Sequence, residues 1–122
     1  MVVSTRFAGS VAIIQLQGPL TLGAMLQRLK PAVEKTLDGK AATALVLNLA
    51  QVTEADSSGL GELVSIHTSA ARRRVRLVLT NVNGRIRDLL ETTRLDELFT
   101  VCADEPSALQ HVAHAQVSNQ PQ

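Results

Sequence analysis

The sequence predicts an α/β fold: a mixed four- to five-stranded sheet with mostly parallel strands, an N-terminal hairpin and about four flanking helices. Two observations lead there. Short Val/Ile/Leu runs alternate with stretches whose apolar residues recur every three or four positions, giving the order ββαβαβαβα. Two of those runs, TALVLNL (43–49) and VRLVLTNV (75–82), are almost continuously apolar, as strands buried on both faces are.

VVSTRFA and VAIIQLQ flank Gly9-Ser10 and read as the two strands of a hairpin, which makes the sheet mixed. Gly18-Pro19 ends the second strand. Leu22, Leu26, Leu29, Val33 and Leu37 then trace one face of a helix. Pro31 lies inside it; without an N–H for the Gln27 carbonyl, and with its ring crowding that turn, it predicts a kink or break near Lys30. Asp38-Gly39 closes the helix, Gly39 being the expected left-handed stop.

After TALVLNL, a second helix is expected from Gly59 to about Arg73. Leu60, Leu63, Val64, His67 and Ala71 form its inward stripe, and Ser58, Glu62, Ser65, Ser69 and Arg73 the polar one. VRLVLTNV is the next strand, and NGRIRDLLETT (83–93) a short helix with Ile86, Leu89 and Leu90 inward. LFTVC (98–102) is the last strand, and Glu105 to about Ala115 the last helix, with Pro106 suited to its first turn. One domain over residues 1–115 and a disordered polar tail over 116–122 complete the expected organisation.

Composition narrows the function. A net charge of +1 gives no general field for nucleic acid or anionic membrane, and two Phe with no Tyr or Trp leave no platform for stacking bases. The run Arg72, Arg73, Arg74, Arg76 falls at a helix C-terminus, where cations meet the helix dipole favourably. The single cysteine, Cys102, excludes an internal disulfide and fits a reducing compartment as a small buried hydrophobe. MVVSTRFAGS lacks the basic and apolar regions of a signal peptide, and no apolar stretch approaches the ~20 residues of a membrane span. A soluble, cytoplasmic protein without membrane insertion or nucleic-acid binding is expected. His67 reads as a satisfied core residue, and His111 and His114, spaced i, i+3, lack the further ligands a metal needs. No metal, cofactor or catalytic residue is expected.

TEADSSGLG (53–61) is the stretch that carries chemistry. Asp56, Ser57 and Ser58 are all strong N-cap types. Ala55-x-Ser57-x-Gly59 resembles a hydrolase nucleophile elbow, with Asp88 or Asp104 and His111 or His114 following in the right chain order. An elbow serine, however, follows its strand directly, whereas seven residues separate Leu49 from Ser57. A third role is phosphate acceptor. The helix start favours a phosphate locally, while Glu54, Asp56 and Glu62 make the patch already acidic toward a docked partner.

Asp56-Ser57-Ser58-Gly59-Leu60-Gly61, preceded by ALVLNLAQVTEA and followed by NVNGRIRDLLETTRLDELFTV and DEPSAL, resembles the anti-sigma-factor antagonists of the STAS domain family from about Val3 to Val112. The resemblance implies a mixed sheet with the serine at the start of the second helix. It implies partner switching: the unphosphorylated antagonist binds an anti-sigma factor, often a serine kinase of the histidine-kinase-like ATPase class, and frees the sigma factor. Phosphorylation then breaks the contact and a serine phosphatase restores it. Carried over residue by residue, Ser57 is the acceptor and Ser58 the second choice. The expected partner surface is Asp56, Ser58, Gly59, Glu62, Ser65 and Ser69, with Thr21. At Thr21 the chain departs from the family's pattern G-x-L-D, where the aspartate is associated with kinase recognition; here Gly18-Pro19-Leu20-Thr21 has threonine. That departure supports the alternative, a non-switched STAS subunit of a membrane transport assembly.

Overall fold

The computed structural model describes residues 2–21, 23–39 and 41–118, without the side chains of residues 24–26 and 114–118. Five strands, β1 (Val2–Ala8), β2 (Val11–Gln17), β3 (Ala44–Gln51), β4 (Arg76–Thr80) and β5 (Thr100–Cys102), stand side by side in chain order. β1 pairs antiparallel with β2 around the Gly9-Ser10 turn, where Gly9 takes φ 62°; every later pair is parallel. The intervening helices are α1 (Ala24–Asp38), α2 (Ser57–Arg72) and α3 (Gly84–Thr92), with a 3-10 turn over Leu95–Glu97, and α4 (Glu105–Ser118) follows β5.

Crossovers of one hand that always step to the next strand in the same direction deliver their helices to one face of the sheet. Leu29, Val33 and Leu37 of α1, Leu60, Leu63, Ile66 and Ala70 of α2, and Ile86 and Leu90 of α3 accordingly share a core. They pack on Ala12, Ile14 and Leu16 of β2, Leu45, Leu47 and Leu49 of β3, and Leu77 and Leu79 of β4. The alternate residues Val11, Ile13, Ala44, Val46 and Val78 face the other way, against Ala108 and Val112 of α4.

A polar clamp fastens α4 to that second face. Glu105, its first residue, accepts a hydrogen bond from Asn48 Nδ2 at 2.6 Å and pairs with Arg6 of β1. The other Asn48 atom, Oδ1, accepts from the Ala50 N–H at 2.9 Å. One carboxylate thus ties β1, β3 and α4 together. The Asn48 hydrogen bond, then Arg6, holds the Glu105 carboxyl below its ordinary value.

Several expectations need correction. α1 is unbroken at Pro31. Pro31 and Gln27 both lie on the exposed side, while Leu29, Val33 and Leu37 hold the two halves of the helix to one core, so no break follows. Gly39 is right-handed (φ −66°), its N–H still bonded to Lys35 O at 3.2 Å, rather than a left-handed stop. The inward stripe of α2 is turned from the expected one: Ile66 and Ala70 are buried, Val64 and His67 half-buried, and Ala71 exposed. Leu98 and Phe99 precede the last strand rather than belonging to it, and α4 runs to Ser118, past Ala115. Leu22 and the tail residues 119–122 lie outside the described residues, as do the side chains of Leu26 and His114.

Because Glu105 titrates lower in the folded chain than unfolded, its contribution is complete above the ordinary glutamate pKa of about 4.3 and is lost as pH falls through the folded value. Urea titrations of wild type and Glu105→Gln should therefore differ most near neutrality, wild type being the more stable. The gap should narrow as pH drops below about 4; a gap independent of pH would exclude the clamp as the cause.

Candidate functional site

The site is built where the chain leaves β2 and β3. Gly18 N–H donates to Gln51 O (2.9 Å), Leu20 N–H to Glu54 O (2.7 Å) and Asp56 N–H to Leu20 O (3.2 Å). Leu20 and Ala55 thus form a parallel bridge beyond the ends of their strands. The side chain of Leu20 is fully buried, which fixes the segment from inside. Thr21, half-buried, follows directly.

α2 starts against this bridge. Asp56 is its N-cap: the carboxylate accepts from the Gly59 N–H at 2.9 Å, and the Asp56 carbonyl accepts from the Leu60 N–H at 3.0 Å. Ser57 is the first helical residue and is exposed; Ser58 is half-buried. The helix therefore begins two residues earlier than the expected Gly59. Of the remaining surface residues, Ser65 is exposed, and Glu62 and Ser69 are half-buried, bordering the crevice against Lys30, Val33 and Glu34 of α1.

Gly59 supports this surface from beneath. A Cβ on Gly59 would lie 1.9 Å from the carbonyl oxygen of Leu20 and 2.9 Å from its Cγ. No other residue type fits unless the two backbones part. Gly61, two positions on, has nothing within 4 Å of its Cβ direction. Sequence alone places Gly59 at the helix start and does not reveal this contact; a glycine in the first turn of a helix, where a close backbone approach needs one, is the available signal.

Beside Ala55 runs an open groove of about 600 Å³ between the β3–α2 loop and α3, lined by Glu54, Arg85, Asp88, Leu89 and Thr92. Asn83, the cap of α3, holds the groove's far wall: its Oδ1 accepts from the Ile86 N–H (2.9 Å) and its Nδ2 donates to Val52 O (3.0 Å). The other singled-out residues lie elsewhere. His67 stacks edge-on against Phe99, ring centres 5.7 Å apart. His111 is exposed on α4, and Asp104 caps that helix through the Ser107 N–H at 2.9 Å. Burial, then the Asp104 carboxylate, pushes the Cys102 thiol up.

A capped serine at the tip of a helix, locked against the preceding crossover of a sequentially ordered mixed sheet, defines a small α/β module with its polar groups at one end. The chain matches the STAS domain over residues 3–108, and it belongs to that family. Among solved structures it is similar to a candidate anti-sigma factor antagonist from Thermotoga maritima, with 21% identity, TM-score 0.83, and coverage of 91% of this chain and 94% of that one. It is similar to the Bacillus cell fate determinant SpoIIAA in its phosphorylated form, at 19% identity, TM-score 0.71 and coverage of 91% and 99%. A sulfate transporter family protein from Wolinella succinogenes gives 21% identity, TM-score 0.71 and coverage of 84% of each chain. At these identities the likeness is one of fold. No curated protein matches the sequence.

The two glycines make an internal comparison. Gly59→Ala should lower stability by about 1–3 kcal/mol or more, since backbone must move to admit the methyl group. Gly61→Ala should raise it by about 0.5–1 kcal/mol, as alanine suits an open helical position better. Denaturant midpoints check both, and equal effects would contradict the close approach.

Proposed function

We propose that this chain is an anti-sigma-factor antagonist acting by partner switching, a bacterial regulator of transcription and not an enzyme. Unphosphorylated, it docks through Asp56, Ser58 and the polar face of α2 (Glu62, Ser65, Ser69), beside Thr21. Its partner is an anti-sigma factor that is also a serine kinase of the histidine-kinase-like ATPase class. Docking frees the sigma factor. Transfer of phosphate to Ser57, with Ser58 the second choice, releases the antagonist, and a serine phosphatase resets it. The module acts as a single domain that includes α4 to Ser118, in the cytoplasm, without cofactor, nucleic acid or membrane insertion. Among the described residues no helix is long and apolar enough to cross a membrane.

The observation that carries this reading is an exposed Ser57 at the first position of a 16-residue helix, next to its capping aspartate, in a STAS chain. The likeness in fold to SpoIIAA, solved in a phosphorylated form, supports it. In this reading the switch is electrostatic and requires carboxylates on the docked partner. A phosphate on Ser57 would add roughly two negative charges to a patch already holding Glu54, Asp56 and Glu62. Against an acidic partner surface, like charges ~4–6 Å apart at an effective dielectric near 20 cost about 3–4 kcal/mol. That is several-hundredfold in affinity by the usual ~1.4 kcal/mol per decade.

A second reading, a non-switched STAS subunit of a membrane transport assembly, is favoured by Thr21 and by the fold likeness to the Wolinella succinogenes transporter protein. Pull-downs with wild type, Ser57→Ala and Ser57→Asp separate the two. Switching predicts one main partner, a kinase-like ATPase, kept by Ala and lost by Asp; the same partners recovered equally by all three forms would exclude it.

A further inference from the structure

We infer that β1 is the seam of a two-fold dimer, pairing antiparallel with β1 of a second copy about Thr5, so that two five-stranded sheets become one. The inference is independent of the role of Ser57.

β1 is the outermost strand of the sheet, and its backbone pattern can be followed residue by residue. The two-residue Gly9-Ser10 turn closes on the pair Ala8 and Val11, making it a hydrogen-bonded pair. Bonding then alternates along an antiparallel ladder. Val2, Ser4, Arg6 and Ala8 spend their N–H and C=O groups on β2, while Val3, Thr5 and Phe7 point theirs outward.

An outward row at Val3, Thr5 and Phe7 is self-complementary. A two-fold axis at Thr5 sets Thr5 against Thr5, and Val3 against Phe7 of the second copy. All three outward residues of each strand then fall in hydrogen-bonded pairs. The side chains agree with this register. Val3 meets Phe7 on the face toward α1, Val2 meets Ala8 on the other, and Arg6 lies opposite Ser4. An axis at Arg6 would oppose two arginines, and an axis at Ser4 would leave Phe7 beyond the paired segment.

β1 also lacks the features that keep edge strands apart. Between Val2 and Ala8 there is no Pro or Lys, and its β1–β2 register is uninterrupted. Its one charge, Arg6, is drawn to Glu105. Val2 and Phe7 are the most exposed of the large exposed hydrophobics, at 54% and 51%. The opposite edge, β5, is only three residues long and so offers little to pair with.

Sedimentation of the full chain over a range of concentrations tests the seam. Wild type should move from 13.1 kDa toward twice that mass. Phe7→Lys, folded by circular dichroism because Phe7 is half-exposed, should raise the dimer dissociation constant roughly tenfold or more. Register is read by oxidation in a Cys102→Ser background. Thr5→Cys should cross-link, its two Cα atoms lying about 5.5 Å apart, whereas Val2→Cys, roughly 20 Å from its mate, should not. A wild-type chain that stays at 13.1 kDa throughout overturns the seam. So does a dimer unaffected by Phe7→Lys, or equal cross-linking of the two cysteine variants.

Discussion

The backbone of Leu20 passes so close to Gly59 that no side chain fits between them, and the arrangement of the polar end of the molecule depends on that approach. It sets the distance between the start of the first crossover, where the chain leaves β2, and the start of α2. The bonds from Leu20 to Glu54 and Asp56 set the angle. Because the Leu20 side chain is fully buried, the segment is referenced to the core rather than to solvent. Ser57 is therefore an exposed residue on a fixed mount, with the backbone beside it held by the Leu20 bonds and by the helix cap.

The elements legible in the sequence were those encoded by local pattern. Alternating Val/Ile/Leu runs and three-four periodicity gave the strand and helix order, and the Gly9-Ser10 pair gave the hairpin. Asp56 was readable as a cap because its side-chain chemistry acts on neighbours in the chain. The rotation of α2 was not. Val64 and Ile66, and Ala70 and Ala71, are about equally apolar, so periodicity alone left the stripe free to turn by one residue. What decides it is the sheet below, and the edge contact between His67 and Phe99, a residue from a distant segment. Pro31 does not break α1, because the core residues Leu29, Val33 and Leu37 hold the helix to the sheet on both sides of the proline. The Leu20–Gly59 approach and the Arg6–Asn48–Glu105 clamp join residues far apart in the chain, and no local pattern encodes them.

The two faces of the sheet are covered unequally. Three helices share one face through a large leucine-rich core; among the described residues the other face is covered by α4, through a smaller set of apolar residues. Glu105 compensates for that thin packing with directional bonds. A carboxylate with an amide donor and a guanidinium partner specifies where a helix begins more sharply than Ala108 and Val112 do by contact alone. Asn48 also bonds the Ala50 N–H, so the same side chain that receives α4 shapes the end of β3, from which the chain turns toward Asp56.

α2 carries opposite charges at its two ends. Glu54, Asp56 and Glu62 gather at its start, and Arg72, Arg73, Arg74 and Arg76 at and beyond its finish, about 24 Å away for 16 residues. The backbone of a helix is polarised the other way, with about half a positive charge at its start, so the side chains reverse the sign of the helix they sit on. α2 thereby acquires an axis of side-chain charge, moderated at its finish by the pairing of Arg73 with Asp38 and at its start by Arg85, which shares a groove with Glu54. Net charge governs how strongly a body is drawn through a uniform field, but an axis of this kind feels a torque. Such a torque turns a body without moving its centre, so orientation along α2 can respond to a field that a net charge of +1 hardly feels.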